Sequence, residues 1–325
     1  MDTFVQQLVN GLTLGAVYAV VALGYTMVYG IIQLINFAHG EVVMIGAMVA
    51  FTVIPILAAG GLPPVLVVAL GALCAVPVCM VVGYAMERFA YRPLRGAPRL
   101  APLIVAIGVS IILQHLAMMI WSRNVLAFPQ IIPLLTFEFA GATVTVVQLG
   151  ILGVCAAMMA GLAWLVYRTR LGRAMRASAE NPRVAALMGV DVDRIIATTF
   201  VIGAAMAAVA GVMFGTYYGV AQYTMGSILG LKAFSAAVLG GIGNVPGAML
   251  GGIVLGVVEA LGAGYIGDLT DLCRWGIGPA AHCADGGHFV LFGSNYQDVF
   301  AFVVLILVLV FRPSGLLGER VGERA

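Results

Sequence analysis

Nine stretches of this chain, near residues 8–29, 41–59, 64–86, 101–121, 145–167, 195–217, 226–244, 246–266 and 297–311, are apolar over lengths close to what crosses a bilayer. A helix needs about 20 residues to traverse the hydrocarbon core, and apolar runs of that length find a solvent there that they do not find in water. Composition agrees: 62% of the 325 residues are hydrophobic and 9% are charged. A soluble domain carries about 25% charged residues. The expectation is an all-α polytopic membrane protein, a single transmembrane domain over 1–325 with eight or nine spans. The segment 226–244 is the weakest of these, rich in glycine and carrying Lys232, and either crosses or forms a broken, re-entrant element.

The net charge of +2 says little, but its distribution is informative. Arg88, Arg92, Arg95 and Arg99 form one cluster, the arginines of 168–194 a second, and Arg312, Arg320 and Arg324 a third. Basic residues collect on the cytoplasmic side of a membrane, so loops 88–99 and 168–194 and the C-terminus are expected there. Counting spans backwards places the N-terminus outside. The N-terminus has Asp2 and no Lys or Arg before the first span, hence no basic leader ahead of a cleavage site. The tail after Arg312-Pro313 reads as short, polar and frayed.

Small residues recur every fourth position at Gly11, Gly15 and Ala19, at Gly203, Ala207, Gly211 and Gly215, and at Gly243, Gly247 and Gly251. Such stripes let helix backbones approach in lipid, where the hydrophobic effect contributes little to association. Packing alone does not account for the interruption around Gly240, Gly241, Gly243, Asn244 and Pro246, within a Gly/Pro-broken region at 226–252. Irregular backbone at membrane depth persists where protein buries it or a wet cavity faces it, and discontinuous helices line transport pathways. A second interruption follows the first span at Asn36-Phe37-Ala38-His39-Gly40-Glu41, and the pair hints at a loose internal repeat.

Several chemistries are missing. Lys232, the sole lysine, is not part of a G-x-x-x-x-G-K-[ST] phosphate loop, and the chain lacks H-E-x-x-H, paired C-x-x-C and G-x-S-x-G motifs. Nothing supports an enzyme, a nucleic-acid partner or a cofactor bound by this chain. Cys74, Cys79 and Cys155 fall in apolar runs and read as buried small side chains. Cys273 and Cys283 lie in a long external loop, 268–295, where a disulfide is chemically permitted; His282 and His288 beside Cys283 make a metal site conceivable. Among ionisable residues in the spans, Glu41 either favours a helix N-terminus or lines a permeation path with Asn36 and His39. Glu259 reads as a buried hydrogen-bonding group or a cavity wall, and Lys232 as a side chain snorkelling to an interface.

The polar segment 168–194 carries the sharpest motif. Asn181 is a helix cap, Pro182 suits the first turn, and Val184, Leu187 and Met188 share a face, with little bulk at Ala185, Ala186 and Gly189 between them. Glu180 and Arg183 flank the cap. Physics alone leaves two readings, a helix resting on lipid headgroups or a knob fitting a groove on a cytoplasmic partner.

The run from Arg176 through Glu180-Asn181-Pro182-Arg183-Val184-Ala185-Ala186-Leu187-Met188-Gly189 to Ala207 resembles the branched-chain amino acid ABC transporter permeases of the LivH type. So do Asn10–Ala19, Ile35–Glu41 and Gly230–Ala248, and the resemblance extends in order from about residue 4 to 318. It implies an ABC importer permease fold in a bacterial inner membrane, paired with a second, homologous permease subunit or with a second copy of itself. It also implies two cytoplasmic ATPase subunits holding ATP-Mg and docking on 180–189, and a periplasmic binding protein delivering leucine, isoleucine or valine. On this reading Ala185, Ala186 and Gly189 match a degenerate coupling motif. The outer loop 268–295 is longer than the family leads one to expect. A urea or short-amide permease of the same family and a stand-alone ion-coupled transporter are the alternatives, the latter disfavoured by the lack of an acidic relay.

Overall fold

Lipid offers no hydrogen bonds to an exposed backbone, so each apolar run must satisfy its own N–H and C=O groups as a helix. The computed structural model describes residues 2–98, 100–133, 135–139, 141–273, 290–293 and 296–318, and in it all nine apolar runs are helical. Among the described residues, seven helices are long and apolar enough to cross a membrane. They are α1 (Asp2–Ile32), α2 (His39–Ala58), α3 (Pro64–Ala85), α4 (Leu100–Ile120), α5 (Val146–Arg168), α8 (Val192–Tyr218) and α10 (Val245–Leu269). Two apolar helices are shorter, α9 (Met225–Gly240) and α11 (Gln297–Phe311), while α6 (Arg170–Glu180) and α7 (Pro182–Leu187) occupy the basic segment between α5 and α8. At 1.5 Å per residue α9 is about 24 Å long, less than the ~30 Å hydrocarbon core. It is short because it begins inside the bundle.

Packing is set by backbone contact. A Cβ on Gly15 would lie 2.8 Å from Ile253 Cα, and one on Gly252 would collide with the backbone of Ala19. Thus α1 and α10 touch main chain to main chain, antiparallel. The same relation joins α3 to α8, where Gly83 meets Ala204 and the Phe200 carbonyl. Each half is a run of three helices: α1, α2 and α3 in one, α8, α9 and α10 in the other. The first helix of each run packs on the third of the other, and α2–α3 and α9–α10 are antiparallel neighbours. Because α1 runs opposite to α8, the two triplets form an inverted repeat. The repeat suggested by the sequence is therefore real, but the counterpart of the 33–38 break is the α8–α9 connection, residues 219–224, rather than the Gly-rich turn at 241–244.

Two small antiparallel sheets are added to the helices. β1 (Leu126–Ala127) pairs with β4 (Val220–Ala221), and β2 (Thr136–Phe139) forms a hairpin with β3 (Ala142–Thr145) in the register Thr136↔Thr145. The hairpin leads straight into α5, whose start is closed by a Thr145–Gln148 capping box. Gln6 of α1 accepts from the Thr143 N–H at 2.8 Å, tying the hairpin to the start of the chain.

The C-terminal segment 314–318 is not frayed as expected. Leu316 and Leu317 N–H donate to the Leu239 and Gly240 carbonyls at 2.8 and 3.0 Å, capping the end of α9. Cys79 and Cys155 are buried, but Cys74 sits on the exposed surface of α3, against the sequence expectation. Cys273 is disulfide-bonded; Cys283, His282, His288 and most of the loop 268–295 lie outside the described residues.

The α1–α10 contact gives a direct test. Gly252→Ala places a methyl on the Ala19 backbone, whereas a Cβ on Gly267 of the same helix meets nothing within 4 Å. Gly252→Ala is expected to lower the Tm of the purified protein by several degrees, and Gly267→Ala to leave it unchanged or slightly raise it.

Candidate functional site

Two regions concentrate polar or otherwise unexplained groups, one on the basic face and one inside the bundle. On the basic face, Thr169 caps α6 by accepting from Gly172 N–H at 3.1 Å. Asn181, extended at φ −153°, ends α6 and starts α7, its Oδ1 accepting from Arg183 and Val184 N–H at 3.1 and 3.2 Å. Pro182 follows at the first helical position, where its missing N–H costs nothing. Gly189 closes α7 at φ +84°, a conformation that favours glycine, and Val190 N–H returns to the Ala185 carbonyl at 3.0 Å.

Between these caps Ala185 is buried, while Val184, Leu187 and Met188 are 52%, 86% and 80% exposed. The shared apolar face therefore points away from the protein. Asp191 caps α8 through Arg194 N–H at 3.1 Å, and Arg92 pairs with Asp193 at 2.6 Å. Arg95 bridges Asp193 to the fully buried Glu87. The turns that follow α3 and the start of α8 are thus held together by charge, beside a polar cleft of about 570 Å³ lined by Tyr84, Glu87, Arg92, Asp191, Asp193 and Arg194.

Inside the bundle, α2 begins well away from either end of its neighbours. The His39 ring packs on Gly24 and beside Gly203, within α1 and α8, and meets Tyr25 edge-on at 4.9 Å. Asn36, in the preceding 33–38 segment, is buried and accepts from the Tyr91 hydroxyl at 2.7 Å. Gly40 packs backbone to backbone on Gly226 and Gly230 of α9. Glu41 is completely buried; its Oε1 accepts from Ser110 Oγ at 3.0 Å and Gln114 Nε2 at 2.7 Å, both on α4. Its Oε2 has no hydrogen-bond partner among the described residues and lies against Gly226.

Farther along α9, Lys232 does not snorkel. It is buried and donates to Glu259 Oε1 of α10 at 2.7 Å, with Asp298 of α11 at 2.7 Å on its other side. Tyr18 of α1 also donates to Glu259, at 3.3 Å. Gly240, Gly241, Gly243 and Asn244 are placed at the turn between α9 and α10, next to the C-terminal segment. Gly240 touches Gly247, Gly241 adopts φ +106° against Gly318, and Asn244 caps α10 while donating to the Leu317 carbonyl at 2.7 Å. The backbone groups expected to be orphaned there are largely paired by these contacts.

Sequence reasoning missed Tyr18, Tyr91, Ser110, Gln114, Asp298 and the Glu87–Arg95–Asp193 bridge. Lys232 and Glu259 carry opposite charges on successive antiparallel apolar helices, a signal that could have paired them. Ser110 and Gln114 on α4, four apart and hence on one face, could have been read as partners for a buried acid. No group of three or more metal-ligating side chains is present among the described residues.

Residues 7–309 match the family model described as branched-chain amino acid transport system / permease component. The chain is 49% identical over 322 residues to the high-affinity branched-chain amino acid transport system permease protein BraD of Pseudomonas aeruginosa, covering 97% of this chain and 96% of the relative. It is 44% identical over 321 residues to the protein of the corresponding description, LivH, in Salmonella typhimurium and in Escherichia coli, with the same coverage.

The Lys232–Glu259 pair is buried, so removing one partner strands the other. Lys232→Met is expected to destabilise the protein by about 3–5 kcal/mol, read as a fall in Tm, and the double variant Lys232→Met/Glu259→Gln to recover a large part of that loss.

Proposed function

Because the chain belongs to the permease-component family of branched-chain amino acid transport systems, we propose that it forms, with a second permease subunit, the membrane path through which leucine, isoleucine or valine enters the cell. The basic face carrying α6 and α7 is cytoplasmic, in the inner membrane of a bacterium. A periplasmic receptor delivers the amino acid, and two cytoplasmic ABC ATPases bind and hydrolyse ATP-Mg. This chain contributes no phosphate loop and performs no bond chemistry.

The observation carrying the reading is α7. A helix of six residues is too short to be stable alone, yet here it is capped at both ends and turns three apolar side chains outward. Such a surface is built to be covered. Its edges are basic, and its start and finish are tied to α6 and α8, so a push or pull on α7 is passed to helices that cross the membrane. Closure of an ATPase dimer gripping α7 would then shift the permease between outward-open and inward-open arrangements, a rigid-body transition between two packings.

Leu187→Asp and Met188→Asp test this, because both side chains are too exposed to matter for folding. The expected outcome is an unchanged Tm, with ATPase co-purification and ATP-driven leucine uptake in proteoliposomes each reduced about tenfold or more. Full uptake by these variants would refute the docking role. Flux of leucine driven by an ion gradient in liposomes holding this chain alone would refute the ATP-coupled reading, and uptake of urea instead of leucine would move the substrate within the family.

A further inference from the structure

The inverted repeat brings the starts of α2 and α9 together inside the bundle, Gly40 on Gly226 and Gly230. Neither Ala38 nor Thr224, which precede them, caps its helix with a side chain. In α2 the first-turn main chain is turned inward instead, His39 and Glu41 N–H onto the Asn36 and Ala38 carbonyls at 3.0 and 3.1 Å and Gly40 onto the Tyr25 hydroxyl, while in α9, among the described residues, only the Met225 N–H is so engaged, on Gln222 at 3.1 Å. Two positive helix ends therefore converge where no water reaches. Glu41 sits in the first turn of α2 at this junction, fully buried, with Oε1 held by Ser110 and Gln114 and Oε2 unpartnered against the first turn of α9.

A buried carboxylate with one oxygen unused, beside the start of a helix with no side-chain cap, has a particular complement. It is a small molecule bearing a cation and an anion a few ångströms apart. Building on the transport reading above, we propose that this junction is where the permease holds the amino-acid zwitterion in transit, Glu41 taking the ammonium and the Gly226 and Ser227 N–H groups at the start of α9 taking the carboxylate. Glu259 is also buried with Oε2 unpartnered, but Lys232 already meets its charge, with Tyr18 on the same Oε1. The Tyr25, Phe37 and Phe234 rings, packed on one another beside the junction, offer an apolar wall to an aliphatic side chain.

In the present arrangement the junction is closed. A methyl on Gly40 would strike the Gly226 carbonyl, and one on Gly226 would strike Glu41 Oε2, so no ligand fits between them. Occupation requires α2 and α9 to part at their starts. Glycine at both contacts keeps the closed form tight and leaves no side chain over the start of α9 when it opens. In the closed form Glu41 faces the positive ends of both helices, which offsets its burial until the ammonium replaces that environment.

The test uses the complete importer in lipid nanodiscs, loaded with radiolabelled leucine and arrested with ATP and vanadate. Bound leucine and trapped nucleotide are counted separately. Wild type is expected to retain leucine. Glu41→Gln keeps the size of the side chain and an acceptor for Ser110, and is expected to trap nucleotide normally while retaining leucine about tenfold less or worse. Because Gln114 lies 2.7 Å from Glu41, the exchange Glu41→Gln/Gln114→Glu returns a carboxylate to the same pair and is expected to restore retention in large part, which a purely structural role would not do. Leucine retention by Glu41→Gln equal to wild type would overturn the proposal, as would a wild-type complex that transports leucine but never holds it. If Glu41→Gln fails to assemble, the exchanged variant decides: assembly with retention supports the proposal, assembly without it overturns it. A wild-type complex lacking ATP-driven leucine uptake would instead indict the transport reading itself.

Discussion

Direct contact between helix backbones is the constraint on which the rest of this structure depends. In lipid, apolar side chains gain nothing by leaving one hydrocarbon environment for another, so helices must adhere through close packing. The chain meets this with glycine and alanine where α1 crosses α10 and where α3 crosses α8. Those crossings are equivalent under the inverted repeat, and they fix the two triplets against each other. Between them, α2 and α9 do not start at the ends of their neighbours. Each enters from a six-residue non-helical connection and begins in the interior.

Burial then sorts the charged groups by what they can reach. Lys232, Glu259 and Asp298 lie on three different helices yet meet within hydrogen-bonding distance, with Tyr18 donating to the same Glu259 oxygen as Lys232. Such a cluster joins α9, α10 and α11 and is costly to break, which suits a structural role. Glu41 is different in kind. It has neutral partners, a bare oxygen and no buried cation within its hydrogen-bonding shell. Glu259 also keeps a bare Oε2, but Lys232 meets its charge; Glu41 is the one of this pair that no cation meets.

Much of this was legible from residues. The apolar runs located every membrane helix among the described residues, and Asn181-Pro182 with Gly189 marked both ends of α7, because caps and turns are local chemistry. The small-residue stripes told which faces approach, without telling which partner they meet. Long-range identity is where the reading ran out. The turn at Gly240–Pro246 looked like a broken helix because its partners, Leu316 and Leu317, arrive from over 70 residues away. Lys232 looked like an interfacial residue because Glu259 and Asp298 reach it only through tertiary packing. The 219–224 break carries no proline, so nothing local set it apart from an ordinary loop.

The same tertiary contacts connect the two regions singled out by their chemistry. From α7 the chain passes to α8, whose Asp193 is gripped by Arg92 and Arg95, and Arg95 also holds Glu87. Tyr91, between them in sequence, stacks near Phe200 of α8 at 5.2 Å and donates its hydroxyl to Asn36. Asn36 lies in the connection that leads into His39, two residues before Glu41. The contacts are therefore contiguous from the exposed apolar face of α7 to the start of α2. Contiguity alone does not establish coupling; what it supplies is a mechanical constraint. On the proposed reading, a displacement of α7 that moves the start of α8 must either break the Arg95 bridge and the Tyr91–Asn36 bond or carry the start of α2 with it. Arg95 also holds the buried Glu87, and Tyr91 and Asn36 are themselves buried, so on this reading the start of α2 moves with α8.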